Sequence, residues 1–248
     1  MPDLKLPPRA ASVSELLYAA TSVFRRTLAK GLPVGMFAIL LAALPNLYWL
    51  TRGKPLDFMH LPTDGRFWLL TAIGFAGYQL LAAVLMLRQR ALLGGAAPSL
   101  ASEFAVLRTR WPTLLVSALL MGVLVFAGFM ALVVPGVVAL VCLLILRPVV
   151  LFENVGPLHA LQRCFRLAWP MWIKMFASAL IAALVFVVCA VAAAACLGIL
   201  QSVLLLVGLQ QQVMSAFAAA CGLGIQAVAL VYLNALWLVL YSAASSSA

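Results

Sequence analysis

The sequence predicts an all-α fold, a polytopic membrane helix bundle of about six transmembrane helices with amphipathic helices lying at the interface. Three observations predict it. Six long apolar stretches between Leu32 and Tyr241 are interrupted by short basic segments. Hydrophobic residues make up 66% of the chain and charged residues 9%, with a mean hydropathy of +1.15, whereas soluble domains carry roughly 25% charged residues. The Lys and Arg residues, finally, fall almost entirely in alternate connections. Because lipid offers no partner to an unpaired backbone group, each crossing must be a helix of about 20 apolar residues.

The spans are expected at 33–51, 67–87, 113–134, 137–152, 173–196 and 217–241, all within one membrane domain covering 1–248. Thirty-two residues precede the first span, and no A-x-A site follows a short apolar core, so that span is expected to be retained rather than cleaved as a signal peptide. The fourth span follows the third through Pro135-Gly136 alone, which predicts a tight helical hairpin over 113–152. Between the fifth and sixth spans, 197–215 carries an apolar run from Val203 to Val207 flanked by Gln201, Gln210, Gln211 and Gln212. That run is too short to cross and is expected at the outer surface, whether re-entrant or lying flat.

Orientation follows from the basic residues. Lys5, Arg9, Arg25, Arg26 and Lys30 precede the first span, Arg88, Arg90, Arg108 and Arg110 separate the second from the third, and Arg147, Arg163, Arg166 and Lys174 separate the fourth from the fifth. The other side receives only Arg52, Lys54 and Arg66, together with Asp57 and Asp64. This bias places both termini in the cytoplasm. It also accounts for the net charge of +10 without a nucleic-acid partner, because the basic residues flank helices at the interface rather than forming an aromatic-lined groove.

A pattern recurs before the first, third and fifth spans. Amphipathic stretches at about 12–30, 99–110 and 156–169 each end in basic and aromatic residues, with a proline (Pro33, Pro112 or Pro170) beyond. In the first, Leu16, Leu17, Ala20, Phe24 and Leu28 follow helical spacing behind a Ser12-x-x-Glu15 capping box. In the second, Ser99 stands where a cap is needed, and Leu100, Phe104 and Leu107 form the face. Leu158, Leu161, Phe165 and Ala168 do so in the third. Such helices lie at the acyl boundary while Arg25, Arg26, Arg108, Arg110, Arg163 and Arg166 reach lipid headgroups. One interfacial helix and two spans, repeated three times, suggest a pseudo-threefold bundle.

Side chains capable of chemistry are few. His60 and His159 fall on opposite sides of the bilayer, and the five cysteines lack C-x-x-C spacing, so they are expected to pack as small apolar residues. No nucleophile–base set, metal motif or phosphate loop is present, and no cofactor is implied. Arg147 and Glu153 are the charges closest to the hydrocarbon, about 9 Å apart along a helix. Charges at membrane depth invite a functional role; the simpler expectation is that Arg147 snorkels and both pin the end of the fourth span against the next interfacial helix. Asn46, Tyr78, Gln79, Ser117, Gln226, Tyr232 and Asn234 are polar within spans and are expected to hold helices together. Gly31-x-x-x-Gly35 and Gly74-x-x-Gly77 permit close helix approach.

The run Pro135-Gly136, Arg147-Pro148, Glu153, Gly156-Pro157, Ala160-Leu161, Arg163-Cys164-Phe165 and Leu167 resembles the YciC-like bacterial membrane proteins. That group is related to the membrane domain found beside some glycerophosphodiester phosphodiesterases. Cys164 stands where the group's pattern has serine. The resemblance covers roughly 135–170 and implies a bacterial inner-membrane protein. The few residues after Tyr241 leave no room for a catalytic barrel of about 250 residues, so hydrolase activity is not implied. The leading expectation is a non-enzymatic component contacting anionic phospholipid headgroups, with other membrane proteins or a second copy as further partners. A small-solute or lipid transporter comes next, lined by Gln79, Gln226 and Asn234 with a broken helix at Pro45-Asn46, and an enzyme acting on lipid last.

Overall fold

Apolar helical sequence of this density packs as long helices, and the computed structural model describes residues 11–51, 64–95, 99–206 and 211–246. Among them no strand occurs. Six helical segments are long and apolar enough to cross a membrane, so the chain is an integral membrane protein of about six spans. The helices are α1 (Val13–Thr51), α2 (Gly65–Leu93), α3 (Leu100–Ala131), α4 (Val133–Cys142), α5 (Leu146–Glu153), α6 (Pro157–Ala168), α7 (Trp172–Leu206) and α8 (Gln211–Ser245). Lys5, Arg9, Arg52, Lys54, Asp57, His60, Val207 and Gln210 lie outside the described residues.

Two expected boundaries vanish. The amphipathic stretch 12–30 and the first span form one helix of 39 residues, with Pro33 and Pro45 inside it. Likewise 99–110 and the third span form the 32 residues of α3, with Pro112 inside. At 1.5 Å per residue these helices run about 58 and 48 Å, well beyond a hydrocarbon core of about 30 Å, so each carries its amphipathic end past the membrane. Pro45-Asn46 is therefore not a break. In the third copy the expected separation survives, as a 3₁₀ turn at Trp169–Met171 between α6 and α7. The stretch 197–215 also differs from expectation: up to Leu206 it continues α7, and from Gln211 it begins α8.

Local chemistry sets the ends. The Ser12 amide donates to Glu15 Oε2 at 2.7 Å and the Glu15 amide to Ser12 Oγ at 3.3 Å, closing the capping box. Asp64 caps α2 through the Arg66 amide (3.0 Å) and accepts the Tyr48 hydroxyl (2.6 Å), joining the α1 end to the α2 start. Ser99 occupies the N-cap of α3, but its side chain makes no capping bond. The hairpin between spans three and four turns at Leu132, three residues before its Pro-Gly pair begins. Pro135 and Gly136 instead fill the first turn of α4, where proline's missing N–H has no helical partner to lose. A Cβ on Gly136 would stand 2.8 Å from the Phe129 backbone nitrogen, so glycine is what lets α4 fold back on α3.

The interior belongs to the second span of each pair. Within the most apolar window of each segment, 33% of α2 is buried against 28% of α1, 56% of the α4–α5 segment against 11% of α3, and 50% of α8 against 6% of the α6–α7 segment. α3 and α7 accordingly present lipid-facing side chains such as Val123, Phe126, Leu184 and Val188. The main core gathers Leu16 and Val23 of α1, Met86 of α2, Leu143 to Leu151, Cys164 of α6, Met175 of α7 and Leu236 and Leu240 of α8. A smaller cluster joins α1, α2 and α8 through Ala38, Ile39, Ala82, Leu85, Ala227 and Val231. Gly74 serves this contact, since a Cβ there would lie 2.5 Å from the Leu41 carbonyl oxygen.

A direct check compares two glycines. Gly136→Ala should lower stability by about 1–3 kcal/mol through overpacking. Gly122→Ala, which meets nothing within 4 Å, should be neutral or stabilising by up to about 1 kcal/mol. Thermal unfolding of the two variants in the same detergent separates them.

Candidate functional site

Apart from Arg66 at the start of α2 and the inward Arg147, the described basic residues gather at one end of the bundle, and the charges there divide into two sets. One set is consumed internally. Arg88 of α2 forms a two-pronged pair with Glu103 of α3 (Nε to Oε1 3.1 Å, Nη2 to Oε2 2.9 Å) and donates to the Lys30 carbonyl of α1 at 3.3 Å. Arg110 of α3 donates to the carbonyls of Val150 and Leu151, two of the acceptors left open at the end of α5, where a cation also meets the negative pole of the helix. Arg163 of α6 pairs with Glu153 at 2.9 Å, and Glu153 also accepts the Tyr241 hydroxyl at 3.2 Å. Arg90 stacks 3.9 Å over the Phe152 ring. Lys174 donates to the Ala11 carbonyl at 3.0 Å.

The close of α5 shows why the sequence folds this way. Asn154 takes the left-handed conformation at φ 53°, which asparagine tolerates better than most residues. Gly156 then forms the N-cap of α6 and Pro157 its first residue, where a fixed φ is an advantage. This short turn brings Arg163 back onto Glu153. The expectation that Glu153 pins the fourth span to the neighbouring amphipathic helix agrees with this arrangement.

Arg147 does not. Its side chain turns into the bundle rather than toward the interface. Nη1 donates to Asn234 Oδ1 of α8 at 3.0 Å, and Nη2 donates to Gln79 Oε1 of α2 at 2.8 Å. The rings of Trp237 and Tyr78 lie 5.1 and 6.0 Å from its guanidinium carbon. Asn234 is oriented for this by donating its own amide to the Leu230 carbonyl at 3.0 Å. A 3₁₀ turn at Leu143–Ile145 interrupts the fourth span just before Arg147, and Pro148 sits buried in the first turn of α5. One polar residue from each second span thus meets at a single point. A cation at membrane depth costs about 2.5–3.5 kcal/mol on insertion scales, and here amide oxygens and aromatic faces offset part of that cost.

A cavity of about 200 Å³ opens beside the guanidinium, lined by Tyr78, Gln79, Ser117, Ala118, Met121 and Trp237, with leucines around them. Gln226 stands apart. It lines a separate cleft between α7 and α8 with Gln201, about 12 Å along α8 from Asn234, with buried Ala227, Leu230 and Val231 between.

The second set of charges is free. Arg25, Arg26, Arg108 and Arg166 are exposed and have no hydrogen bond or ion pair among the described residues. Of the six arginines expected at headgroups, Arg110 and Arg163 are instead given internal partners. The amphipathic faces divide in the same way: Leu16, Ala20, Leu107, Cys164 and Ala168 are buried in the protein core rather than facing acyl chains. Tyr18, Phe104, Trp111 and Trp169 remain outward, Tyr18 80% exposed.

Sequence reasoning missed the Arg88–Glu103 pair and Gln89, whose buried amide donates to the Val231 carbonyl at 2.9 Å. Scarcity was the available signal, since Glu103 is one of only six acidic residues. His159 is exposed on α6, and the five cysteines are all free thiols. Comparison with protein-family models, curated proteins and solved structures gives no match.

The Arg88–Glu103 pair yields a stability prediction. Glu103 is 4% exposed and Arg88 14%, so Glu103→Gln leaves a largely buried cation unpaired and should cost roughly 3 kcal/mol. Glu15→Gln, at an exposed helix start, should cost no more than about 1 kcal/mol. Denaturant unfolding in mixed micelles measures both.

Proposed function

We propose that this chain is a non-enzymatic membrane component that holds anionic phospholipid around one end of its bundle, in the inner membrane of a bacterium with both termini cytoplasmic. A single observation carries this reading: Arg25, Arg26, Arg108 and Arg166 are exposed and unpaired at the end where Tyr18, Phe104, Trp111 and Trp169 also face outward. Aromatic rings favour the headgroup level of a bilayer, and each basic residue near an anionic surface contributes about 1 kcal/mol of attraction. The other arginines of this end are occupied in holding helices, which leaves these four for an outside ligand. The resemblance to the YciC-like group at Pro135-Gly136, Arg147-Pro148, Glu153 and Gly156-Pro157 favours the same placement.

A transport reading draws on Gln79 and Asn234. Both, however, are engaged by Arg147, and Gln226 lies beyond an apolar stretch of α8.

The test is lipid retention. Purified from mixed phosphatidylglycerol and phosphatidylcholine membranes, the wild-type protein should carry phosphatidylglycerol in excess of its bulk fraction, with the excess shrinking as salt rises. The Arg25→Gln, Arg26→Gln, Arg108→Gln, Arg166→Gln quadruple variant should lose most of that excess. Equal enrichment in both proteins contradicts the proposal.

A further inference from the structure

The four described carboxylates are all committed away from Arg147. Glu15 closes the capping box, Asp64 accepts from Tyr48 and the Arg66 amide, Glu103 pairs with Arg88, and Glu153 pairs with Arg163 and Tyr241. Arg147 is therefore a permanently charged group at membrane depth whose side-chain partners here, Gln79, Asn234 and the Tyr78 side chain, carry no carboxylate. Only two of the five guanidinium N–H donors are taken by those amide oxygens. Gln79 spends its oxygen on Arg147, and its Nε2 has no acceptor among the described residues; nor does the Trp237 indole N–H. The Ser117 hydroxyl, by contrast, donates to the Thr113 carbonyl and adds no donor. The polar side of the cavity is thus cationic and rich in donors, with no carboxylate among the described residues, and its volume of about 200 Å³ is far above the roughly 10–15 Å³ needed for one water.

From this geometry we infer that the cavity is an oxyanion site, in which a phosphate group accepts from Arg147, Gln79 and Trp237 and supplies the charge the helices do not. The planar guanidinium suits two oxygens of one phosphate. Leu114, Met121, Leu143 and Val150 form apolar walls, which accept either a free phosphate or the phosphate of a lipid headgroup with its glycerol end. This site lies on the inward side chains of α2, α3, α5 and α8, and does not depend on the outer arginines of the preceding proposal.

The experiment uses the full-length protein in zwitterionic nanodiscs. Its thermal unfolding is followed with sodium phosphate titrated at constant ionic strength set by sodium chloride and, separately, with phosphatidic acid incorporated in the disc. Wild type should be stabilised by at least one of the two ligands; a shift with phosphate assigns a free ion, and a shift with phosphatidic acid alone assigns a lipid. Ala118→Trp fills the cavity without touching the Arg147 bonds and should abolish the shift. Arg147→Lys keeps the charge but loses the fork, and should weaken binding about tenfold or more. The quadruple variant of the outer arginines should retain the shift. The inference is overturned if neither ligand stabilises wild type beyond the chloride control, or if Ala118→Trp responds as wild type does.

Discussion

One inward-turned cation organises the bundle. Arg147 on α5 bonds at once to Gln79 on α2 and Asn234 on α8, so a single guanidinium ties together the second span of every helical pair. In lipid, helices gain no hydrophobic driving force by meeting one another, and association depends on packing and interhelical hydrogen bonds. A fixed charge that cannot lose its proton is a stringent form of such glue, because separating the helices leaves it unsolvated in hydrocarbon. The inner position of α2, the α4–α5 segment and α8 follows from that constraint, and the first spans are left to cover them.

At the basic end of the bundle the same residue type does two jobs. Arg88, Arg110 and Arg163 each cross from one helix to another and meet a carboxylate or the open end of α5. Their geometry is close, partly buried and specific. Arg25, Arg26, Arg108 and Arg166 face outward beside aromatic rings. These four make no ion pair within the described chain, so their charge is not spent on holding helices. The repeated basic-aromatic segments thus build a clamp on the inside and a rim on the outside.

Much of this was legible in the chain. Apolar run lengths set the number of spans, Ser12 and Glu15 announced the capping box, and the distribution of Lys and Arg foretold that the basic segments share one end. What was not legible has physical causes. Prolines at 33, 45 and 112 read as boundaries, yet long helices run through them, which is tolerated in membrane helices where neighbours and local adjustments re-satisfy freed backbone groups. The Pro135-Gly136 pair read as the turn itself, whereas it serves the helix–helix contact just after the turn. Arg147 sat near enough to a helix end to suggest snorkelling, and only the three-dimensional convergence of Gln79 and Asn234, far away in sequence, shows why it turns inward. Long-range polar pairs leave no periodic trace.

The central claim is that Arg147 and Asn234 act as one unit. A double-mutant cycle on Arg147→Met and Asn234→Leu, read by unfolding free energy in the same bilayer mimetic, tests it most directly. The account predicts a coupling of about 0.5–3 kcal/mol, the range for residues in contact within one network. Additive effects, with no coupling between the two positions, would contradict it.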